Sequence, residues 1–254
     1  MIVKNIMSVV KPYRRICRQF ADGTYGTRGR WEYMLHKKYA KSPEHYIRAF
    51  LLIQKDLLTL FDYIEPADKN SKTYSYRIHE LLLRTCVEVE ANCKAILIEN
   101  GYRKKSDNMC MNDYKKIEIS HKLSSYKIKL PIWNGKKNVR DPFSEWKSKG
   151  TLQWYDIYNQ TKHDRHSKFK LATFDNLIDA ICGLISLISS QFWRCDFPPT
   201  EWILSLGGIN DGMESAIGEY FRVKFPTDWD VSERYEFDWN QLKNDTDPFQ
   251  NSNY

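Results

Sequence analysis

Three long runs of this chain repeat apolar residues with the 3.6-residue beat of an α-helix, and no helix patterned in this way is stable alone. Apolar side chains recur at positions 46, 47, 50, 51, 53, 57, 58, 60 and 61, which predicts a helix from Pro43 to about Tyr63. Ser42-Pro43-Glu44 supplies a cap, a first-turn proline and an acid at the positive end. A second run, from about Ser75 to Glu99, carries Ile78, Leu81, Leu82, Thr85, Val89, Cys93, Ile96 and Leu97 in one broad stripe, and Gly101 fits its C-cap. Leu177, Ile178, Ile181, Leu184, Ile185 and Ile188 mark a further helix from about Thr173 to Arg194. Between the last two lies a helix spanning roughly Asp141 to Lys162, broken near Gly150. Apolar stripes of this kind bury one another, so the expected fold class is all-α, an antiparallel helical bundle.

The remaining segments have a different texture. Residues 1–42 are expected to form a basic N-terminal extension, irregular around the run DGTYGTRGRW. That run lacks the G-K-[ST] of a phosphate loop, so Arg28 and Arg30 are expected on a surface loop. Residues 102–150 form a basic insertion, with a short helix near Asn112 to Ser124 and an extended piece, YKIKLPIWNG, ending at Asn134-Gly135. The helical domain is placed at 43–195. Residues 196–254 are an acidic, aromatic C-terminal extension: Pro198-Pro199 closes the bundle, Gly207-Gly208 interrupts the tail, and Trp202, Trp229 and Trp239 are apolar anchors.

Charge follows the same division. The net charge is +7. Residues 1–50 carry 11 basic and 3 acidic side chains and residues 101–150 carry 13 and 5, whereas residues 201–254 carry 4 and 11. The basic segments suit a polyanion such as RNA; a solvated lysine-rich surface offset by the tail is the plainer alternative. The acidic tail suits a basic face of this chain or of a second subunit. The most apolar run, Leu177 to Trp193, is broken by Asp179, Ser186, Ser189, Ser190 and Gln191, so no membrane span is expected. Met1 to Val10 does not read as a signal peptide, and a cytoplasmic location is the expectation. The six cysteines form no C-x-x-C pair; no metal or cofactor is expected, and Cys86, Cys93 and Cys182 read as small buried apolar residues. Paired carboxylates in a G-S plus D-x-D arrangement, as a nucleotidyltransferase requires, are not found.

One polar constellation stands out. Asn159 and His163 are four residues apart on one helical face, with Asp156 a further turn back, His166 beyond, and Lys162 and Arg165 flanking. A histidine can move protons near neutral pH, an asparagine can orient it, and a cation can neutralise a phosphoryl transition state. Such residues suit metal-independent RNA cleavage, in which the 2′-hydroxyl attacks the adjacent phosphate. Equally, polar residues at these positions can cap a turn or tie two helices together.

The string WYDIYNQTKHDR, from Trp154 to Arg165, followed by Phe169, Ala172, Asn176 and a long apolar helix, resembles the HEPN superfamily of all-helical domains. The YRIHELLLRTCVEVEANCKAI run resembles the scaffold helix of the same fold, and the likeness covers about residues 43–195. It implies a bundle of HEPN type, a homodimer with a composite cleft, and metal-independent endoribonuclease activity of a toxin or phage-defence kind, with an antitoxin or defence-system partner. The family motif places an arginine and an adjacent polar residue a few positions before a histidine. On this chain the histidine is His163 and the polar residue Asn159, while Tyr158 stands where the arginine falls. That substitution leaves Arg84, Arg165 or Lys162 to supply the positive charge. The resemblance thus implies His163, Asn159, Arg84 and Arg165 as catalytic residues and Lys162, Tyr158 and His166 as RNA-binding ones. The alternative it leaves open is a catalytically inactive module that binds RNA, a nucleotide or a partner protein.

Overall fold

The computed structural model describes residues 8–148, 150–195, 197 and 212–254, so Pro198, Pro199, Trp202, Gly207 and Gly208 lie outside the described residues. Four principal helices are present: α1 (Pro43–Phe61), α2 (Tyr76–Glu99), α3 (Gln153–His163) and α4 (Phe174–Phe192). The molecule is a mostly helical bundle with a small β-sheet. No helix among the described residues is long and apolar enough to cross a membrane.

Local chemistry sets the helix limits. Ser75 accepts from the Ile78 amide at 3.2 Å and caps α2. At the other end Gly101 adopts φ +84°, and the amides of Gly101 and Tyr102 close onto the carbonyls of Ile98 and Leu97 at 2.9 Å each. This is a Schellman closure, and a side chain at Gly101 would resist it. Thr173 caps α4, with the Asn176 side-chain amide donating to its hydroxyl at 2.8 Å. Ser42 does not cap α1 as expected: its backbone is left-handed (φ +48°), and its hydroxyl makes no cap bond. The helix expected from Asp141 is instead a 3₁₀ segment, Ser144–Ser148, followed by α3.

Helix α4 is the centre of the core. Sixteen of its residues, from Phe174 to Phe192, are buried, and they point in all directions around its axis. Helix α2 covers one side with Ile78, Leu82, Cys86, Val89 and Cys93, α1 adds Phe50, Ile53 and Leu57, and α3 covers another side. The approach of α3 depends on Gly183, because a β-carbon there would stand 2.9 Å from Trp154 Cζ2. Cys86, Cys93 and Cys182 are buried, and burial pushes each thiol upward from its ordinary value. They are therefore protonated packing groups.

The N-terminal segment joins this core. Ile16, Cys17, Phe20, Tyr33, Met34 and Tyr39 are all buried. The Arg15 side chain is fully buried too: Nε lies 2.8 Å from Glu99 Oε1, and one terminal nitrogen donates to Gln191 Oε1 at 2.8 Å. The C-terminal segment lies alongside, with bridges pairing Val9 and Phe20 to Tyr235 and Tyr13 to Gln250. Insertion and tail meet in a four-stranded antiparallel sheet ordered β2-β1-β4-β3. Its strands are β1 (Lys127–Lys129), β2 (Val139–Arg140), β3 (Glu214–Ser215) and β4 (Arg222–Lys224). Ile128 pairs with Val223 across the centre, and both are fully buried. Trp229 is buried as an anchor, its indole donating to the Tyr25 hydroxyl at 2.7 Å, while Trp239 packs partly buried on the aromatic cluster.

His121 joins these segments. Its ring is fully buried, Nε2 lies 3.0 Å from the Arg15 carbonyl, and Nδ1 lies 2.7 Å from Ser120 Oγ. A carbonyl only accepts, so Nε2 carries the proton and Nδ1 takes the Ser120 hydroxyl. Burial, with Arg18 and Arg15 nearby, lowers the imidazole to about 3. The unfolded chain, at about 6.5, therefore binds a proton that the folded chain refuses, and stability falls as pH drops from 6.5 toward 3. Urea denaturation at pH 7, 5 and 4 checks this: wild type should lose several kcal/mol across the range, and His121→Leu should lose much less, whatever its stability at pH 7.

Candidate functional site

Helix α3 divides its side chains between two tasks. Trp154, Tyr155, Ile157, Tyr158 and Thr161 are buried and fix the helix to the bundle. Trp154 donates to the Pro142 carbonyl at 2.9 Å, and the Tyr155 hydroxyl donates to Glu90 Oε1 at 2.9 Å. The Tyr158 hydroxyl also meets Glu90 and accepts from Lys162 Nζ at 3.1 Å. Burial, then the Glu90 charge, pushes both phenols above their ordinary value, so both stay neutral. The opposite side of α3, with Asp156, Asn159, Gln160 and His163, faces solvent. Gln160 donates to Asp156 Oδ2 at 2.8 Å, which engages that carboxylate.

Asn159, Gln160, His163, Asp164 and Lys168 line a shallow depression at the end of α3. Asn159 is half-buried and His163 is exposed. Neither side chain has a hydrogen-bond partner among the described residues, so the imidazole and the amide are available to a ligand. Asp164 is engaged as a cap, accepting from the Ser167 amide at 3.1 Å and starting a short helix, Arg165–Lys168. Lys168 lines the depression, and Lys162, Arg165 and His166 are exposed at neighbouring positions of the chain. The C-terminal end of a helix favours cations, which gives part of this clustering an ordinary structural cause. Among the described residues, no three His, Cys, Asp or Glu side chains stand together as a metal would require.

The other expected residues are placed elsewhere. Tyr158, expected to contact RNA, is fully buried and cannot offer its ring; it serves as a seat for Lys162, whose Nζ lies 5.1 Å from the ring centre. Arg84, expected near the histidine, forms an ion pair with Asp56 of α1. It lines a groove between α1 and α2 together with Thr59, Tyr63 and Arg77, and shares no lining residue with the depression at His163. No family model, curated protein or solved structure matches the chain.

Helix α2 contributes one residue that the sequence reading passed over. His79 is buried beside the Thr161 backbone, and its ring meets Phe169 edge-on at 5.7 Å. Burial lowers its imidazole, which is neutral at pH 7. The signal was a titratable residue inside the apolar stripe of α2, between Ile78 and Leu81.

The two sides of α3 should separate cleanly in denaturation experiments. Tyr158→Ala removes a fully buried ring and should cost ~3–5 kcal/mol, the range of buried aromatic truncations. His163→Ala and Asn159→Ala should stay within ~0.5 kcal/mol of wild type. A large loss in either of the latter would assign them a packing role.

Proposed function

We propose that the chain is an RNA-binding protein of HEPN type that engages the phosphate backbone through the basic strip at the end of α3. The observation that supports this is the depression at His163: an unengaged imidazole and amide beside Lys168, with Lys162, Arg165 and His166 exposed at neighbouring positions of the chain, so that basic side chains outnumber the two nearby carboxylates, Asp156 and Asp164. A local excess of cations over carboxylates is the elementary requirement for holding a polyanion.

A second reading, metal-independent endoribonuclease activity, is favoured by the exposed and unpartnered ring of His163. In that reaction the 2′-hydroxyl gives its proton to His163 Nε2 or Nδ1, its oxygen attacks the adjacent phosphorus, and the 5′-oxygen leaves with a proton from a second acid. Asn159 orients the phosphate and Lys168 or Arg165 offsets the charge that develops. The second acid is either His166 or the His163 of a second copy, in the composite cleft that the HEPN resemblance implies. Tyr158 is neutral and buried, so it supplies neither charge nor proton.

One experiment addresses both readings. Wild type and His163→Ala are mixed with total RNA and tRNA in EDTA, binding is followed by fluorescence anisotropy over a salt series, and product ends are analysed. Binding should weaken with salt by a log–log slope of ~0.7 per phosphate contacted. Cleavage to 2′,3′-cyclic phosphate ends by wild type alone establishes the nuclease centred on His163. Binding without cleavage by either protein leaves the binding module. Absence of binding by the folded protein at low salt overturns both.

A further inference from the structure

We infer that a platform of exposed aromatic rings beside the His163 depression stacks the bases of single-stranded RNA; the inference rests on the RNA reading above and specifies the form of RNA bound. Lys168 lines the depression, and the next residue, Phe169, packs against Tyr76 at a ring-centre distance of 4.7 Å and against Tyr74 at 5.7 Å. The three rings come from the first turn of α2, the residues just before it and the segment after α3. They are held by an isolated bridge between Tyr74 and Thr173 and by the Phe174 amide donating to the Thr73 carbonyl at 2.7 Å.

A clasp between two segments would bury these rings. Instead, although Phe169 is half-buried, Tyr76 is 67% exposed and Tyr74 43% exposed. Cations surround them: the Arg165 guanidinium stands 6.0 Å from the centre of the Tyr76 ring, and Lys168 and Lys170 flank Phe169. The neighbouring acid Glu80 is paired to Arg77 at 3.2 Å and Asp164 is committed as a cap, so the platform keeps its positive balance. Exposed aromatic rings beside cations are the components on which successive bases of a single strand stack while lysines and arginines follow the backbone. A duplex hides its base faces within the helix and cannot use such rings.

Anisotropy with the full chain tests this. The probes are oligouridylate and oligoadenylate of about 12 nucleotides, within the usual span of such sites, 2′-O-methylated so that no attacking hydroxyl is present. A blunt RNA duplex and inorganic polyphosphate are the competitors. Single strands should bind tighter than either competitor. Tyr76→Ala should weaken single-strand binding about tenfold without changing the salt slope, the loss expected for one stacked base. Tyr76→Leu preserves apolar packing on Phe169 and should weaken binding as much, whereas Tyr76→Trp should bind as wild type. Lys168→Ala with Lys170→Ala should instead lower the salt slope. Wild-type affinity in Tyr76→Leu, or equal competition by polyphosphate, overturns the platform and leaves RNA binding intact. Failure of wild type to bind any RNA removes the platform and the RNA reading together.

Discussion

Everything in this molecule is arranged around a helix whose second half has no solvent side. From Ala180 to Phe192 helix α4 is buried around its whole circumference, yet this stretch carries Ser186, Ser189, Ser190 and Gln191. Backbone and side-chain polar groups in such a place destabilise the fold unless they are matched. Helix α2 supplies Asn92, which accepts from Gln191 Nε2 at 3.0 Å. The Ser186 and Ser190 hydroxyls donate to the Cys182 and Leu187 carbonyls of the same helix, at 2.9 and 2.8 Å. The N-terminal segment adds further partners: Arg15 donates to Gln191 Oε1 at 2.8 Å, Tyr39 donates to the Gln191 carbonyl, and the Cys17 amide donates to the Ser190 carbonyl at 2.8 Å. The segment that reads as a basic extension therefore completes the sheath of the central helix.

The same requirement places the site. Helix α3 is one stave of that sheath, fixed by Trp154 over Gly183 and by two tyrosines converging on Glu90. Fixing one side of a helix fixes the direction of the other. Asn159 and His163 are thus presented to solvent from a rigid support, while the charges that border them sit where α3 ends and the chain turns toward α4. Residues responsible for rigidity and residues available for chemistry alternate along eleven positions.

Much of the helical frame was legible because it rests on local periodicity. The limits of α1, α2 and α4 follow from apolar spacing, Ser75, Gly101 and Thr173. Of the sheet, β1 was legible as part of the extended piece YKIKLPIWNG; its partners were not, since the strands are two or three residues long and pair the insertion with the tail, almost a hundred positions away. The Arg15 network was hidden for a similar reason: an arginine among basic neighbours reads as surface, and it is the Glu99, Gln191 and Lys41 carbonyl partners that make its burial tolerable. At the site, the shared face of Asn159 and His163 was readable from spacing. The positions of Arg84 and Tyr158 were not, because helical phase tells which residues share a side but not which neighbour covers it. The meeting of Tyr74, Tyr76 and Phe169 gave no signal, as three aromatic residues from separate segments carry no common period.

The pairing of Val9 and Phe20 with Tyr235, and of Tyr13 with Gln250, has a consequence for the order of events during synthesis. Residues 9–20 are translated more than two hundred positions before the partners they pair with. Helices α1 and α2 can form an early hairpin from neighbouring sequence, whereas the cover of α4 is complete only once the N-terminal segment has docked on it. The slowest contacts to form are those of greatest sequence separation. In the interval the exposed aromatic surface of the N-terminal segment is what a chaperone would meet.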